Sequence, residues 1–265
     1  MKRHKFSCKK KYKILISNDD GIFSQGIFDL VNELKKIGEV VVVAPDKQQS
    51  AVGHAITMNY PIRAIPYNFD GNINGFAVDG TPADCVKLAI KYLLSEIPDI
   101  IVSGINHGSN TAISVIYSGT VSAATEGTIL GIPSIAISLA TFGTCDFTYA
   151  AKFSREITKL VLKNKLPEGT LLNINIPPIS ESEIKGVKIT RQGKSLWDDT
   201  FDIRKDPSNK EYFWLTGNLK ILDKDEDVDV DEIAVLNKYI SITPIQYDLT
   251  DYKMFKKLKK WKIKK

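Results

Sequence analysis

Histidine, cysteine and long apolar runs are all scarce in this 265-residue chain, and each shortage narrows the chemistry open to it. There are three histidines, His4, His54 and His107, and His4 lies in the basic N-terminus, so a zinc site built from several imidazoles is excluded. The three cysteines, Cys8, Cys85 and Cys145, are scattered and form no CxxC pair. That excludes a thiolate zinc site and a disulfide framework, and it suits a reducing cytoplasm. No apolar run approaches the ~18 residues of a membrane span. Met1–Lys13 is basic but lacks the apolar segment of a secretory signal. The chain also has no GxxxxGK[ST] loop, no GxGxxG turn, no HExxH pair and no GxSxG elbow. The common phosphate-loop, dinucleotide, zinc-protease and serine-hydrolase devices are therefore missing.

Acid is absent from both ends. Residues 1–13 hold seven Lys/Arg and residues 253–265 hold eight Lys, with no Asp or Glu in either stretch. Setting these 15 aside leaves 21 basic against 31 acidic residues, so the net +5 covers a middle of charge −10. A nucleic-acid binder carries its positive charge on the folded domain, so no specific nucleic acid is expected. The lysine-rich ends read as solubilising, or as a weak attraction for polyanions.

What is present is a repeating delivery of polar residues by buried strands. Ile14–Leu15–Ile16 suits a strand covered on both faces, and Asn18–Asp19–Asp20–Gly21 comes directly after it. Apolar residues spaced by three and four over 27–37 predict a helix stopped by Gly38, and Val40–Pro45 a second strand, completing a βαβ unit. That strand leads into Asp46–Ser50. Thr81, Pro82 and Asp84 read as N-cap, first position and first turn of a helix through Leu93. Ile100–Val102 is a strand emptying into the loop Ser103–Asn110. Ser118–Gly119–Thr120 opens a small-residue helix, and such a start is either a plain N-cap or an anion site. A strand at 132–138, a helix at 149–162 and a strand at 171–176 complete an α/β, mainly parallel pattern.

Past Pro167 the pattern changes. Residues 187–190 and 213–215 suggest antiparallel strands or a hairpin arm, 240–244 a last strand and 252–261 a basic helical tail. Residues 223–232 hold seven acids; Val228 and Ala234 stand where a calcium loop needs glycine and glutamate, so a solvated acidic loop is expected. The chain divides into a basic tail (1–13), a catalytic domain (14–178) and a C-terminal part with arm, final strand and tail (179–265).

In an open parallel sheet, ligands bind at the carboxyl ends of the strands. Asp19–Asp20 is there either an ordinary turn or a pair of carboxylates whose repulsion a hard cation relieves. Ser50 and Asn106 arrive at the same edge, and this set of carboxylate, hydroxyl and amide oxygens suits Mg²⁺, Mn²⁺ or Ca²⁺. His107 stands in the same loop as a donor, an acid or a bystander. With an anion-binding helix start added, metal-assisted phosphoryl hydrolysis is the natural class. A broader phosphatase or exopolyphosphatase, and a non-catalytic nucleotide-binding module, are the alternatives. The last leaves Asp19–Asp20 without a reason.

The motifs ILISNDDG (14–21), VVVAPDKQQSAVGHAIT (41–57), DGTPADCVKLAI (79–90), PDIIVSGINHGSN (98–110), YSGTVSAATEG (117–127) and SITPIQYDLT (241–250) resemble the SurE family of 5′/3′-nucleotidases. The resemblance implies a Rossmann-like three-layer α/β/α sandwich with a C-terminal hairpin and helix extension that supports homodimers or homotetramers. It implies one divalent cation, Mg²⁺ or Mn²⁺, held by Asp19, Asp20, Ser50 and Asn106, and a nucleoside monophosphate as substrate. Asn110, Ser118, Gly119 and Thr120 are expected to contact its phosphate. Asp19, Asp20 and Asn106 are the expected catalytic residues, one of the aspartates accepting a proton. The family's pattern is weakest over 180–235 and at the lysine-rich ends.

Overall fold

The computed structural model describes residues 11–69, 73–224 and 226–263, so nearly all of the basic N-terminus, with Cys8, lies outside the described residues. In chain order the elements are β1 (Tyr12–Ser17), α1 (Gln25–Leu34), β2 (Gly38–Pro45), β3 (Ala64–Phe69), β4 (Ile73–Val78), α2 (Pro82–Leu88) with a wider-wound continuation over Ala89–Leu93, and β5 (Ile100–His107). Then come α3 (Ser114–Tyr117), α4 (Gly119–Ile129), β6 (Ser134–Leu139), α5 (Thr148–Asn164), β7 (Thr170–Ile176) and β8 (Gly186–Ile189). The C-terminal stretch forms β9 (Ser195–Lys205), β10 (Glu211–Ile221), α6 (Asp231–Leu236), β11 (Tyr239–Gln246) and α7 (Tyr252–Leu258).

Among the described residues, nine strands form one sheet in the order β3-β4-β2-β1-β5-β6-β7-β11-β8. β4, β2, β1, β5, β6 and β7 run parallel, while β3 and β11 are antiparallel to the neighbours β4 and β7. Successive side chains of a strand face opposite sides, and the core divides accordingly. Ile14 and Ile16 pack with Ile27, Leu30 and Leu34 of α1 and with Ala150, Ile157 and Val161 of α5. Leu15, Val43 and Ile101 face the other way, against Cys85, Val86 and Ala123 of α2 and α4. Ile27, Leu30 and Leu34 are completely buried, each contributing roughly 1.5–3 kcal/mol over exposure. The result is helix, sheet, helix: the expected Rossmann-like α/β sandwich.

Four details differ from expectation. Gly38 does not stop α1, which ends four residues earlier at Leu34; it opens β2, where a Cβ would lie 2.5 Å from the Tyr12 carbonyl oxygen. β5 does not empty at Ser103 but continues through His107, with a register shift against β6 between Ser103 and Asn106. Such an irregularity re-aims side chains beside a site, and it carries Asn106 on a strand rather than a loop. β8 is not part of the arm, because it pairs parallel with β11 at the sheet edge. The arm is instead β9 paired antiparallel with β10, from Ser195↔Ile221 to Lys205↔Glu211. The acidic run is only partly solvated: Asp231 is fully buried at the start of α6. β8 and β11 both lie beyond residue 179, so the C-terminal part completes the same sheet that residues 14–178 begin.

Candidate active site

Gly21, at φ +95°, turns the chain just after β1, and Ile22 N–H donates to the Pro45 carbonyl at 2.8 Å, holding the ends of β1 and β2 side by side. Asp19 and Asp20 lie before that turn. Asp19 is buried, and its Oδ1 accepts the Thr120 hydroxyl of α4. Asp20 Oδ2 accepts the His107 backbone N–H at 2.9 Å, tying the turn to the end of β5. Gln49 N–H donates to the Asp19 carbonyl at 2.7 Å and so brings exposed Ser50 alongside.

Ser118 caps α4, its Oγ accepting Val121 N–H at 3.0 Å. Gly119 comes next, where only a hydrogen fits, since a Cβ there would stand 2.7 Å from Asp19 Cβ. The small-residue helix start therefore lets backbone approach the aspartate directly. Asn106 donates from its side-chain amide to the Gly108 carbonyl at 2.8 Å, which leaves its oxygen for another partner. Asn110 is buried and tied on three sides. Its N–H donates to Asn175 Oδ1 at 2.8 Å, its amide to Ser138 Oγ at 2.8 Å, and its carbonyl accepts from Asn173 at 2.7 Å.

Asp19, Ser50, Asn106, Asn110 and Ser118 thus line one cavity of about 610 Å³. Asp20 and Gly119, next in sequence to Asp19 and Ser118, do not line it. Thr120 is completely buried with its hydroxyl directed at Asp19. Its geometry is that of a residue that orients Asp19 rather than one that touches a ligand. His107 lines the cavity while its ring Nε2 engages the Gly143 carbonyl at 2.7 Å.

The electrostatics are those of a site short of positive charge. Burial pushes the Asp19 carboxyl up to about 6, with the Asp20 charge adding to the rise and the Thr120 hydroxyl opposing it. Burial also raises Asp20, against the His107 N–H. No lysine or arginine stands among the groups acting on either carboxylate. Asp19 is buried and Asp20 half-buried, His107 is the one basic side chain among the described residues that acts on Asp20, and two adjacent carboxylates so placed are costly unless more positive charge joins them. Among the described residues no three His, Cys, Asp or Glu side chains gather so as to hold a metal ion. A cation here would rest on two carboxylates plus the Asn106 and Ser50 oxygens, a set that fits a hard, partly hydrated ion.

Several lining residues escaped the sequence reading. Tyr117 adjoins the recognised Ser118–Thr120 turn, and Phe142 packs over Gly108. Trp197, Asp199, Leu215 and Gly217 come from the β9–β10 arm, which reaches over the cavity. Their only signal in the sequence is the alternation of a hairpin. Nearby, Glu126 is buried and accepts from His54 and Lys87, and these bonds hold it below the usual carboxylate range despite the upward push of burial. This ties the loop after Ser50 to α2 and α4.

Comparison with known proteins matches the family described as Survival protein SurE to residues 14–199. The chain is 50% identical over 252 residues to the 5′-nucleotidase SurE of Chlorobium chlorochromatii (strain CaD3), covering 95% of this chain and 92% of that protein. It is 49% identical over 256 residues to the 5′-nucleotidase SurE of Flavobacterium johnsoniae, covering 96% and 98%. The crystal structure of the SurE protein from Aquifex aeolicus superposes with a TM-score of 0.80 at 44% identity, covering 93% of this chain and 98% of that one.

Proposed function

The chain belongs to the SurE family, and from that premise we infer that it is a 5′-nucleotidase acting on nucleoside monophosphates. The observation that carries the reading is the buried Asp19 carboxylate packed directly against the Ser118–Gly119 helix start at one cavity, with no lysine or arginine among the described residues acting on it. The Thr120 hydroxyl and backbone N–H at that helix start favour the charged form of Asp19, and a cation would be needed for a second anion, the phosphate, to approach the same place.

The finer reading is a divalent-metal-dependent phosphomonoesterase, with one Mg²⁺ or Mn²⁺ per subunit held by Asp19, Asp20, Ser50 and Asn106. A cation bound there supplies a Lewis acid for the phosphoryl oxygens and makes water a stronger nucleophile at neutral pH. The chain's own residues do the rest. Ser118 and the Gly119 N–H that opens α4 receive the phosphate, Asn110 borders it, and one of Asp19 or Asp20 accepts the proton of the attacking water. Thr120 and the His107 N–H fix the two carboxylates so that little reorganisation is needed. Hydrolysis of 3′-monophosphates belongs to the same reading, since the anchor is the phosphate.

Two or four copies are proposed to assemble through the arm, where Phe201, Ile203, Phe213 and Trp214 are all exposed. No helix among the described residues is long and apolar enough to cross a membrane, and the scattered cysteines favour the cytoplasm. The test is phosphate release from a 5′-nucleoside monophosphate with Mg²⁺ or Mn²⁺ against an EDTA control. Metal-dependent release is expected; undiminished release after chelation would overturn the metal, and no release with any divalent ion would overturn the nucleotidase.

A further inference from the structure

The cavity holds more than a phosphate. Its volume of about 610 Å³ lies within the ~300–1,000 Å³ usual for small-molecule sites, and the phosphate end accounts for only Asp19, Ser118 and their neighbours. The arm supplies another part of the lining. In its register Trp197 pairs with Leu219, Asp199 with Gly217 and Phe201 with Leu215. Alternate residues of a strand share a face, so Trp197 and Asp199 of β9 lie on one face with Leu215 and Gly217 of β10. These are the arm residues that meet the cavity, together with Thr216 between them. Gly217 has no side chain, which leaves the Asp199 carboxylate uncovered by its cross-strand partner.

That face is chemically mixed in a specific way. An indole and a leucine flank a carboxylate, and the Asp199 side chain makes no hydrogen bond or ion pair with any described residue. A carboxylate near a phosphate site repels the substrate unless it accepts from neutral donors. Ribose hydroxyls are such donors, and a carboxylate taking a ribose diol is a recurrent arrangement in nucleotide sites. A flat indole beside it offers a stacking surface that tolerates any base.

We propose that the arm face Trp197–Asp199 is the nucleoside subsite of this enzyme: Asp199 accepts the ribose hydroxyls and Trp197 stacks on the base. This rests on the nucleotidase reading and adds which part of the chain recognises the nucleoside. Reading the sugar by its hydroxyls and the base by its face gives an enzyme that prefers ribonucleotides over deoxyribonucleotides and discriminates weakly among bases.

The experiment compares KM for a 5′-ribonucleotide, the matching 2′-deoxyribonucleotide, ribose 5-phosphate and glycerol phosphate in the full-length protein. Trp197→Ala should raise KM for both nucleotides about 10- to 100-fold, the range for one lost base stack, and leave ribose 5-phosphate unchanged. Asp199→Ala should raise KM for the ribonucleotide and ribose 5-phosphate, and leave glycerol phosphate unchanged. Tyr212→Ala is the control, because Tyr212 pairs with Arg204 on the other face of the arm; its KM values should match the parent. Unaltered nucleotide KM in Trp197→Ala, or an equal rise in Tyr212→Ala, overturns the subsite. A parent protein inactive on every nucleotide would instead overturn the nucleotidase reading beneath it.

Discussion

Asp231 holds Ala112: its Oδ2 accepts the Ala112 backbone N–H at 2.9 Å, across 119 residues of sequence. The other oxygen accepts Gly193 N–H at 2.8 Å, just before the arm begins, and Gln192 donates to the Ala112 carbonyl at 2.7 Å. Ala112 adopts φ +48° and lies two residues past Asn110. One buried carboxylate therefore fastens the Asn110 loop and the root of the arm to each other.

Asp231→Ala leaves those N–H groups without their acceptor. A loss of roughly 2–4 kcal/mol is expected, at ~1–3 kcal/mol for each buried group left unpaired, together with a lower kcat/KM. Urea denaturation and steady-state kinetics on the same preparation check both; a variant with parental stability would show that the clamp holds nothing.

Asp19→Asn should reduce metal-dependent phosphate release by more than about 100-fold while leaving the circular dichroism spectrum intact. Thr120→Val, which removes only the hydroxyl that orients Asp19, should cost about 10- to 100-fold in metal affinity, the usual effect of an outer partner. Metal titration read by activity distinguishes them. Parental affinity in Thr120→Val would mean that Asp19 needs no orienting.

Gly119→Ala places a methyl 2.7 Å from Asp19 Cβ and 3.0 Å from its Oδ2. The start of α4 and the aspartate must separate, at about 1–3 kcal/mol for overpacking, and activity should fall at least tenfold. Thermal melting and kcat measure the two effects. Full activity here would show that α4 and the β1 turn can part without harm.

Glu232 sets a pH dependence of stability. Burial, then the charges of Asp231 and Asp223, pushes its carboxyl up to about 7 from a reference of 4.5, and its Oε2 is buried without a hydrogen bond. Because the folded pKa is raised, the folded chain keeps a proton that the unfolded chain has lost between these values. The group's contribution is fully present below about pH 4.5 and lost as pH rises through about 7. Partial exposure of Glu232 holds the effect to roughly 1–2 kcal/mol. Glu232→Gln should flatten this slope and stabilise the protein at about pH 8, as urea midpoints across that range will show; an unchanged slope would locate the titration elsewhere.

The meeting of Asp19, Ser50 and Asn106 at one cavity was readable because strand periodicity and polar punctuation coincide there. Ile14–Ile16 and Val40–Val43 announce buried strands, and the residues directly after a buried parallel strand must sit at the sheet edge. The Thr81–Asp84 cap was readable for the same local reason, and both of its reciprocal hydrogen bonds are present. Asp231 was not readable. In a run of seven acids it looks solvated, and it is buried by N–H groups from residues 112 and 193, which only the fold brings near. Trp197 and Asp199 were hidden likewise: a hairpin's alternation shows that a face exists but not what it faces.

Asp19, Ser50, Asn106 and Ser118 reach the cleft from separate stretches spread over about a hundred residues. None is near another until β1, β2 and β5 lie side by side, so an ion or nucleotide in the cleft recognises only the assembled sheet. By mass action it then favours the native chain by RT ln(1 + [L]/Kd), about 2.7 kcal/mol at a hundred times Kd. A ligand held in this cleft therefore protects the assembled sheet against heat and proteases for as long as it stays bound.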